Sequence, residues 1–215
     1  NQLKEITQAT LSHYNNHAMG FRDGTWDHDV SQNYQAFFEA LPNRMPLKIL
    51  DLGCGSAPWS LAMAVADPTS QVVAIDFPPI LEVAQSYVKR FHATKQFELR
   101  PGDIHELRYE RENYDLVILG HILHGEGEAG SKKLIKKAYD ALKPGGKILI
   151  SEFVANDLKS GPEIPLLFAL NMLLFTEHGD VFTIKDLKRW LSLSGFKKAS
   201  AQAVQYPVTV MVGTK

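Results

Sequence analysis

The stretch Ile49-Leu50-Asp51-Leu52-Gly53-Cys54-Gly55-Ser56-Ala57-Pro58-Trp59 restricts the fold of this chain more than any other. Lys48 to Leu52 is apolar without alternation, the pattern of a strand covered on both faces of a parallel sheet. Gly53 and Gly55 then let the backbone turn sharply into a helix, so a ligand can lie directly on the main chain.

Two ligand classes use such a corner. A dinucleotide fingerprint wants a third glycine three places after the second, where a pyrophosphate rests on the helix N-terminus. Pro58 stands in that place. Proline suits the first turn of a helix but removes an N–H that a phosphate would use. An acidic strand end followed by Gly-x-Gly instead suits a ligand with an ammonium group and no phosphate, and S-adenosylmethionine is such a ligand. An ordinary tight strand-to-helix turn is the rival reading.

The rest of the chain supplies a sheet for this corner. Trp59–Ala66 is read as a helix ending at Asp67-Pro68, and Gln71–Ile75 as a second apolar strand finishing at Asp76. A carboxylate at that strand end can accept from both hydroxyls of a ribose, and Phe77 is placed to lie against an adenine face. Pro78-Pro79 opens a helix over Ile80–Phe91, and Gln96–Arg100 reads as a third strand ending in Gly102-Asp103, with Ile104 behind it. Asp103 fits either an acceptor for the adenine amino group or a plain turn aspartate.

Tyr114–Leu119 is the fourth strand, and Gly120-His121-Ile122-Leu123-His124-Gly125 leaves its carboxyl end, where ligands sit in open α/β sheets. Gly120 and His121 are therefore assigned to the cofactor and His124 to proton removal, against a rival reading of His124 as a packing histidine. His121 and His124 are three residues apart, but without a third ligand of firm spacing no metal is expected. The next helix, Ala129–Leu142, is expected to stop at Lys143-Pro144-Gly145-Gly146, and Lys147–Ser151 to form a fifth strand with Glu152 at its end. Thr183–Ser194 reads as an amphipathic helix stopped by Gly195, and Phe196–Val204 and Pro207–Thr214 as an antiparallel pair. The expected fold is α/β: a doubly wound, Rossmann-like seven-stranded sheet, mostly parallel with its last strand antiparallel.

Residues 1–46 read as a helical cap ahead of the domain at 47–215. Its aromatic span, with Tyr14, His17, Phe21 and Trp26, suits the roof of a substrate pocket or a helix hairpin on the sheet edge. Phe168, Asn171, Met172 and Phe175 lie at helical spacing, as one wall of an apolar pocket or as plain core.

Charge and composition narrow the partners. The 23 basic and 24 acidic residues leave a net charge of -1, which offers no surface for nucleic acid or an anionic membrane. The apolar run Ile164–Phe175 is too short to cross a bilayer, and the lone Cys54 fits a reducing, cytoplasmic setting.

Together, Asp51-x-Gly53-x-Gly55, Asp76-Phe77-Pro78-Pro79, Gly102-Asp103, Ile122-Leu123-His124, Leu142-Lys143-Pro144-Gly145-Gly146, Phe168–Thr176 and Leu193-Ser194-Gly195-Phe196 resemble the catalytic domain of the S-adenosylmethionine-dependent O-methyltransferases related to the plant caffeate and hydroxyindole enzymes. The resemblance covers about 47–215. It implies S-adenosylmethionine as cofactor, S-adenosylhomocysteine as product, a small aromatic or polyketide-like hydroxyl compound as substrate, His124 as general base and Glu152 as the carboxylate that orients it. Family members usually carry a dimerisation domain ahead of this one, so a homodimer or a neighbouring domain is the implied partner. Two departures stand out. Many relatives follow the histidine with Asp-Trp where this chain has Gly125-Glu126, and the family's second acidic helper falls near Val181, beside Asp180. A nicotinamide oxidoreductase, a non-catalytic cofactor-binding module, and a methyltransferase domain acting on a carrier-bound substrate or on a nitrogen or carbon nucleophile are the competing classes.

Overall fold

Strand β1 (Lys48–Leu52) lies inside the sheet, hydrogen-bonded to β2 (Gln71–Asp76) on one side and β4 (Tyr114–Gly120) on the other, both parallel to it. The computed structural model describes residues 46–204 and 207–215 together with Phe38 and Leu41, and the cap expected over 1–46 otherwise lies outside them. Strand β3 (Phe97–Pro101) continues the sheet beyond β2, and β5 (Leu142–Ala155) beyond β4. Strands β7 (Lys197–Ala203) and β8 (Val208–Thr214) complete the order β3-β2-β1-β4-β5-β8-β7, with β8 antiparallel to both neighbours. This is the expected doubly wound sheet. A two-residue strand β6 (Phe182–Thr183), which carries no sequence signal of its own, pairs with β5 off this path.

Helices α1 (Pro58–Ala66), α2 (Pro78–Arg90), α3 (Leu123–Ala141), α4 (Glu163–Phe175) and α5 (Ile184–Ser194) join the strands. The prolines open α1 and α2 as expected, because the first N–H groups of a helix have no intrahelical partner. Thr183 and Asp186 form a reciprocal capping box at the start of α5, and Gly195, at φ 105, ends it.

Alternate residues of each central strand feed two cores. Leu50, Val117, Leu119 and Ile150 pack with Leu134, Ile135 and Trp190 on one face, while Ile49, Leu116, Ile118 and Leu149 pack with Met63, Ala64 and Leu81 on the other. That double coverage is why β1 shows no polar alternation, and each such side chain contributes roughly 1.5–3 kcal/mol on burial.

Two boundaries differ from expectation. Helix α3 starts at Leu123, not Ala129, and absorbs Gly127 as a kink at φ 64, ψ 177, so His124 stands in its first turn. Strand β5 starts at Leu142 and runs to Ala155, so Glu152 lies within the strand and not at its end. Leu142 pairs with Tyr114, and a register shift between Tyr114 and Leu116 takes up the Lys143–Gly146 segment that reads as a turn.

The chain turns from β1 out to β2 and β3 on one side and takes up β4 on the other. The switch point is the crevice beyond the carboxyl ends of β1 and β4.

Candidate active site

Gly53, at φ 64, begins the corner beyond β1, and its N–H donates to the Ile75 carbonyl at 2.9 Å. A Cβ there would lie 2.8 Å from Ile122 Cδ1, so glycine is required both by the left-handed backbone and by the loop leaving β4. Gly120 is closed in another way: Trp59, from the first turn of α1, lies where its Cβ would be, with indole atoms at 2.3 Å. The glycine corner and the histidine loop thus touch across the crevice.

Two carboxylates face this corner. Asp76 accepts from the N–H of Gly55 at 2.9 Å and of Phe77 at 2.8 Å, which pins the turn to the end of β2. Asp51 is 1% exposed and accepts from Ser60 Oγ at 2.5 Å, while its Oδ1 is buried without a hydrogen-bond partner among the described residues. Burial pushes Asp51 up to about 7, the Ser60 hydrogen bond opposing it and the charge of Asp76 adding to it. Asp76 rises to about 6, again by burial, against its two backbone hydrogen bonds. From Asp51 to Val88 the sequence holds no lysine, arginine or histidine. A corner of carboxylates without cations suits a positively charged, phosphate-free ligand. Phe77 stands at the start of α2, and Asp103 accepts from the His105 N–H at 2.7 Å in the turn after β3, with Ile104 buried beside it.

The opposite wall carries the histidines. His124 Nδ1 lies 2.8 Å from Glu152 Oε2, and Glu152 Oε1 accepts from the N–H of Leu123 at 2.8 Å and of His124 at 3.4 Å. An ionised carboxylate only accepts, so Nδ1 carries the proton and Nε2 is left as the basic nitrogen. Burial alone would lower His124, but the adjoining Glu152 charge and their hydrogen bond outweigh it and raise the imidazole above its ordinary 6.5. Burial would raise Glu152 in turn, yet His124, with His121 beyond it, holds the carboxyl below its ordinary value. Strand β5 and the first turn of α3 are what bring this pair together.

His121 has a left-handed backbone, φ 55, rare for a residue with a side chain and a form of strain that collects at functional sites. Its N–H donates to the Ser151 carbonyl at 2.8 Å, and its ring stacks with Trp59 at 6.1 Å between centroids. His121 Nδ1 is 4.0 Å from Glu152 Oε2, and the nitrogen and oxygen donors of His121, His124 and Glu152 all lie within 4.8 Å of one another. The third donor missing from the sequence reading is therefore present, but both Glu152 oxygens are already engaged within the chain.

Of the expected pocket wall, Phe168 reaches the dyad. Its ring meets His124 edge-on at 4.8 Å and Phe153 at 4.9 Å, and Phe153 lies 4.8 Å from His121. Met172 is half-buried beside Gly179, whereas Asn171 and Phe175 are exposed. Tyr14, His17, Phe21 and Trp26 lie outside the described residues. Asp180 does not serve the dyad: its carboxylate is held by Lys159 and the Val181 N–H, and only its backbone N–H meets His124, at the carbonyl, 2.9 Å away. Val181 is buried. Trp59, Ser60 and Phe153 are site residues without a sequence signal, since each acts through a contact distant in the chain. Glu126, where many relatives have the Trp of Asp-Trp, turns to His105 in the Asp103 turn.

The O-methyltransferase domain family matches residues 26–197 of the chain. The tetracenomycin polyketide synthesis 8-O-methyl transferase TcmO of Streptomyces glaucescens is 31% identical over 166 residues, 77% of this chain and 48% of that protein. The L-tyrosine C(3)-methyltransferase of Streptomyces lavendulae is 27% identical over 161 residues, 74% of this chain and 44% of the relative. The crystal structure of human N-acetylserotonin methyltransferase in complex with SAM superposes with a TM-score of 0.68 at 25% identity, covering 78% of this chain and 47% of that one. The chain spans about half the length of the curated relatives it matches.

Proposed function

The chain belongs to the O-methyltransferase domain family, and from that premise we propose that it methylates a hydroxyl oxygen of a small aromatic or polyketide-like molecule, with His124 as general base. The observation that carries the reading is the His124–Glu152 pair, 2.8 Å apart, on the wall facing the glycine corner.

The residues of that corner fit S-adenosylmethionine. Asp51 offers a buried oxygen in need of a donor, Asp76 an acceptor at the end of β2, and Gly53 a backbone without a Cβ. Asp76 would accept from the ribose hydroxyls, Phe77 and Ile104 would cover the adenine, Asp103 would accept from its amino group, and Gly120 and His121 would close the methionine end. When bound, S-adenosylmethionine supplies a methyl group already activated on a sulfonium sulfur and leaves as S-adenosylhomocysteine.

What remains for the chain is to align the acceptor and take its proton. A phenol has a pKa of about 10, so at neutral pH the hydroxyl needs a base as its oxygen attacks. His124 Nε2 takes that proton, and Glu152, fixed by two backbone N–H groups, holds the ring tautomer and favours the imidazolium that forms. Phe168 and Phe153 give an aromatic wall for the acceptor ring, and Met172 extends it.

The same reading includes a partner. Helix α4 exposes Ile164, Leu167, Leu170, Leu173, Leu174 and Phe175 by between 44% and 74%, and Pro165 is its buried residue. A second copy of the chain or a neighbouring domain would cover that face. Among the described residues no helix is long and apolar enough to cross a membrane, and the buried thiol of Cys54 suits the cytoplasm.

The test offers the purified chain a panel of phenolic acceptors with S-adenosylmethionine and reads the products by mass spectrometry. Gain of one methyl on hydroxyl compounds, and none on their O-blocked analogues, is the expected result. Transfer to the ring carbon of a blocked phenol favours instead the carbon-nucleophile reading that the tyrosine C(3)-methyltransferase relative suggests. Absence of both products removes the assignment.

A further inference from the structure

The turn after β3, which under the proposed function holds the adenine, is fastened to the helix that carries the base. Lys137, on the outer half of α3, donates to three backbone carbonyls of that turn: Ile104 at 2.7 Å, His105 at 2.9 Å and Leu107 at 2.8 Å. An ammonium has three N–H donors, and here each finds an acceptor. These carbonyls stand at the end of a single turn begun by Asp103, whose carbonyl accepts from Glu106 and Leu107, so they resemble the unpaired carbonyls at a helix C-terminus. The Lys137 Nζ also lies 4.3 Å from the centroid of Tyr109, and the Tyr109 hydroxyl donates to the same Ile104 carbonyl. From the same turn the His105 ring meets Glu126, two residues after His124 on the same helix.

We propose that Lys137 is a positioning residue for the cofactor: by gathering the carbonyls of residues 104, 105 and 107, it sets the Asp103–Ile104 segment at the height where the carboxylate reads the adenine amino group. Lys137 stands thirteen residues beyond His124, roughly 20 Å along the helix, so it has no access to the reacting atoms. Its effect travels through the turn alone. Because the side chain is half-buried, water can replace part of its hydrogen bonding when it is removed, and the domain is expected to fold without it.

The proposal rests on the reading of the corner as an S-adenosylmethionine site, and its test separates the two. Calorimetry measures S-adenosylhomocysteine and its inosyl analogue, in which oxygen replaces the adenine amino group, on the whole chain and on K137M and K137R. The unaltered chain binds the adenosyl ligand at least tenfold more tightly than the inosyl one. K137M binds S-adenosylhomocysteine about tenfold more weakly, loses most of the preference between the two bases, and keeps kcat within twofold at saturating cofactor while its KM for cofactor rises. K137R, which retains the cation, recovers most of both. Unchanged affinity and preference in K137M overturn the role of Lys137 and leave the cofactor site standing. Equal weakening for both ligands, with a fall in melting temperature, assigns Lys137 to folding only and also overturns it. No binding by the unaltered chain removes the cofactor reading and this proposal with it.

Discussion

Three carboxylates line the crevice, Asp51 and Glu152 buried and Asp76 half-buried, and they differ in what stands beside them. Glu152 has a titratable partner, His124, at 2.8 Å, and the pair favours charge on both members. Asp51 and Asp76 have hydroxyl and backbone donors and each other, and burial pushes them up to about 7 and about 6. One wall is electrostatically complete, whereas the other lacks a cation among the described residues. Under the proposed function that difference divides the labour: the complete wall would move a proton, and the incomplete one would bind a charged cofactor.

The comparison breaks most visibly at His124. H124A is expected to lower kcat by about 10²–10⁴-fold while the Kd for S-adenosylhomocysteine stays within a factor of about two, because a base contributes to proton removal and not to cofactor binding. Steady-state kinetics with parallel calorimetry measures both, and an undiminished rate removes His124 from the mechanism. D76A is expected to do the reverse. Loss of an acceptor for two hydroxyls weakens cofactor binding by roughly 10–100-fold, and saturating cofactor restores much of kcat.

A third difference concerns pH. As the proposed base His124 would act only when neutral, so with its pKa raised by Glu152 the rate is expected to climb with pH through a value above 6.5. E152Q removes the charge that raises it, and the acid limb of the kcat profile is expected to move to lower pH. The smallest effect is on stability. Asp51 has a folded pKa of about 7 against an ordinary 3.8, so the folded state binds more protons between those values and stability falls as pH rises through that window. The ligand-free chain is therefore expected to melt about 3 °C or more higher at pH 5.5 than at pH 8, and D51N to flatten the slope, as read by scanning fluorimetry.

The two walls were also unequally legible in the sequence. The corner could be read because its parts are local: an apolar run, two glycines and a proline within a dozen residues dictate strand, turn and helix regardless of the rest of the chain. The parallel sheet followed from the same unalternated runs. The dyad could not be read from spacing, since His124 and Glu152 are brought together only by the pairing of β4 with β5, and the family resemblance supplied what local pattern could not. Glycines at 125 and 127 hid the start of α3, which tolerates Gly127 as a kink. Pro144-Gly145-Gly146 looked like a stop because a bulge in β5 has the same composition as a turn. Lys137 is one of four lysines between 132 and 137 and carries no local signal, because the three carbonyls it gathers lie 30 to 33 residues earlier in the chain.

The most direct test of the account is a calorimetric titration of S-adenosylhomocysteine into the purified chain at several pH values. One ligand per chain is expected, with affinity rising from pH 5.5 to 8 as Asp51 and Asp76 lose their protons, the first to meet the ligand's ammonium group and the second to accept from its ribose hydroxyls. No heat of binding at any pH contradicts it.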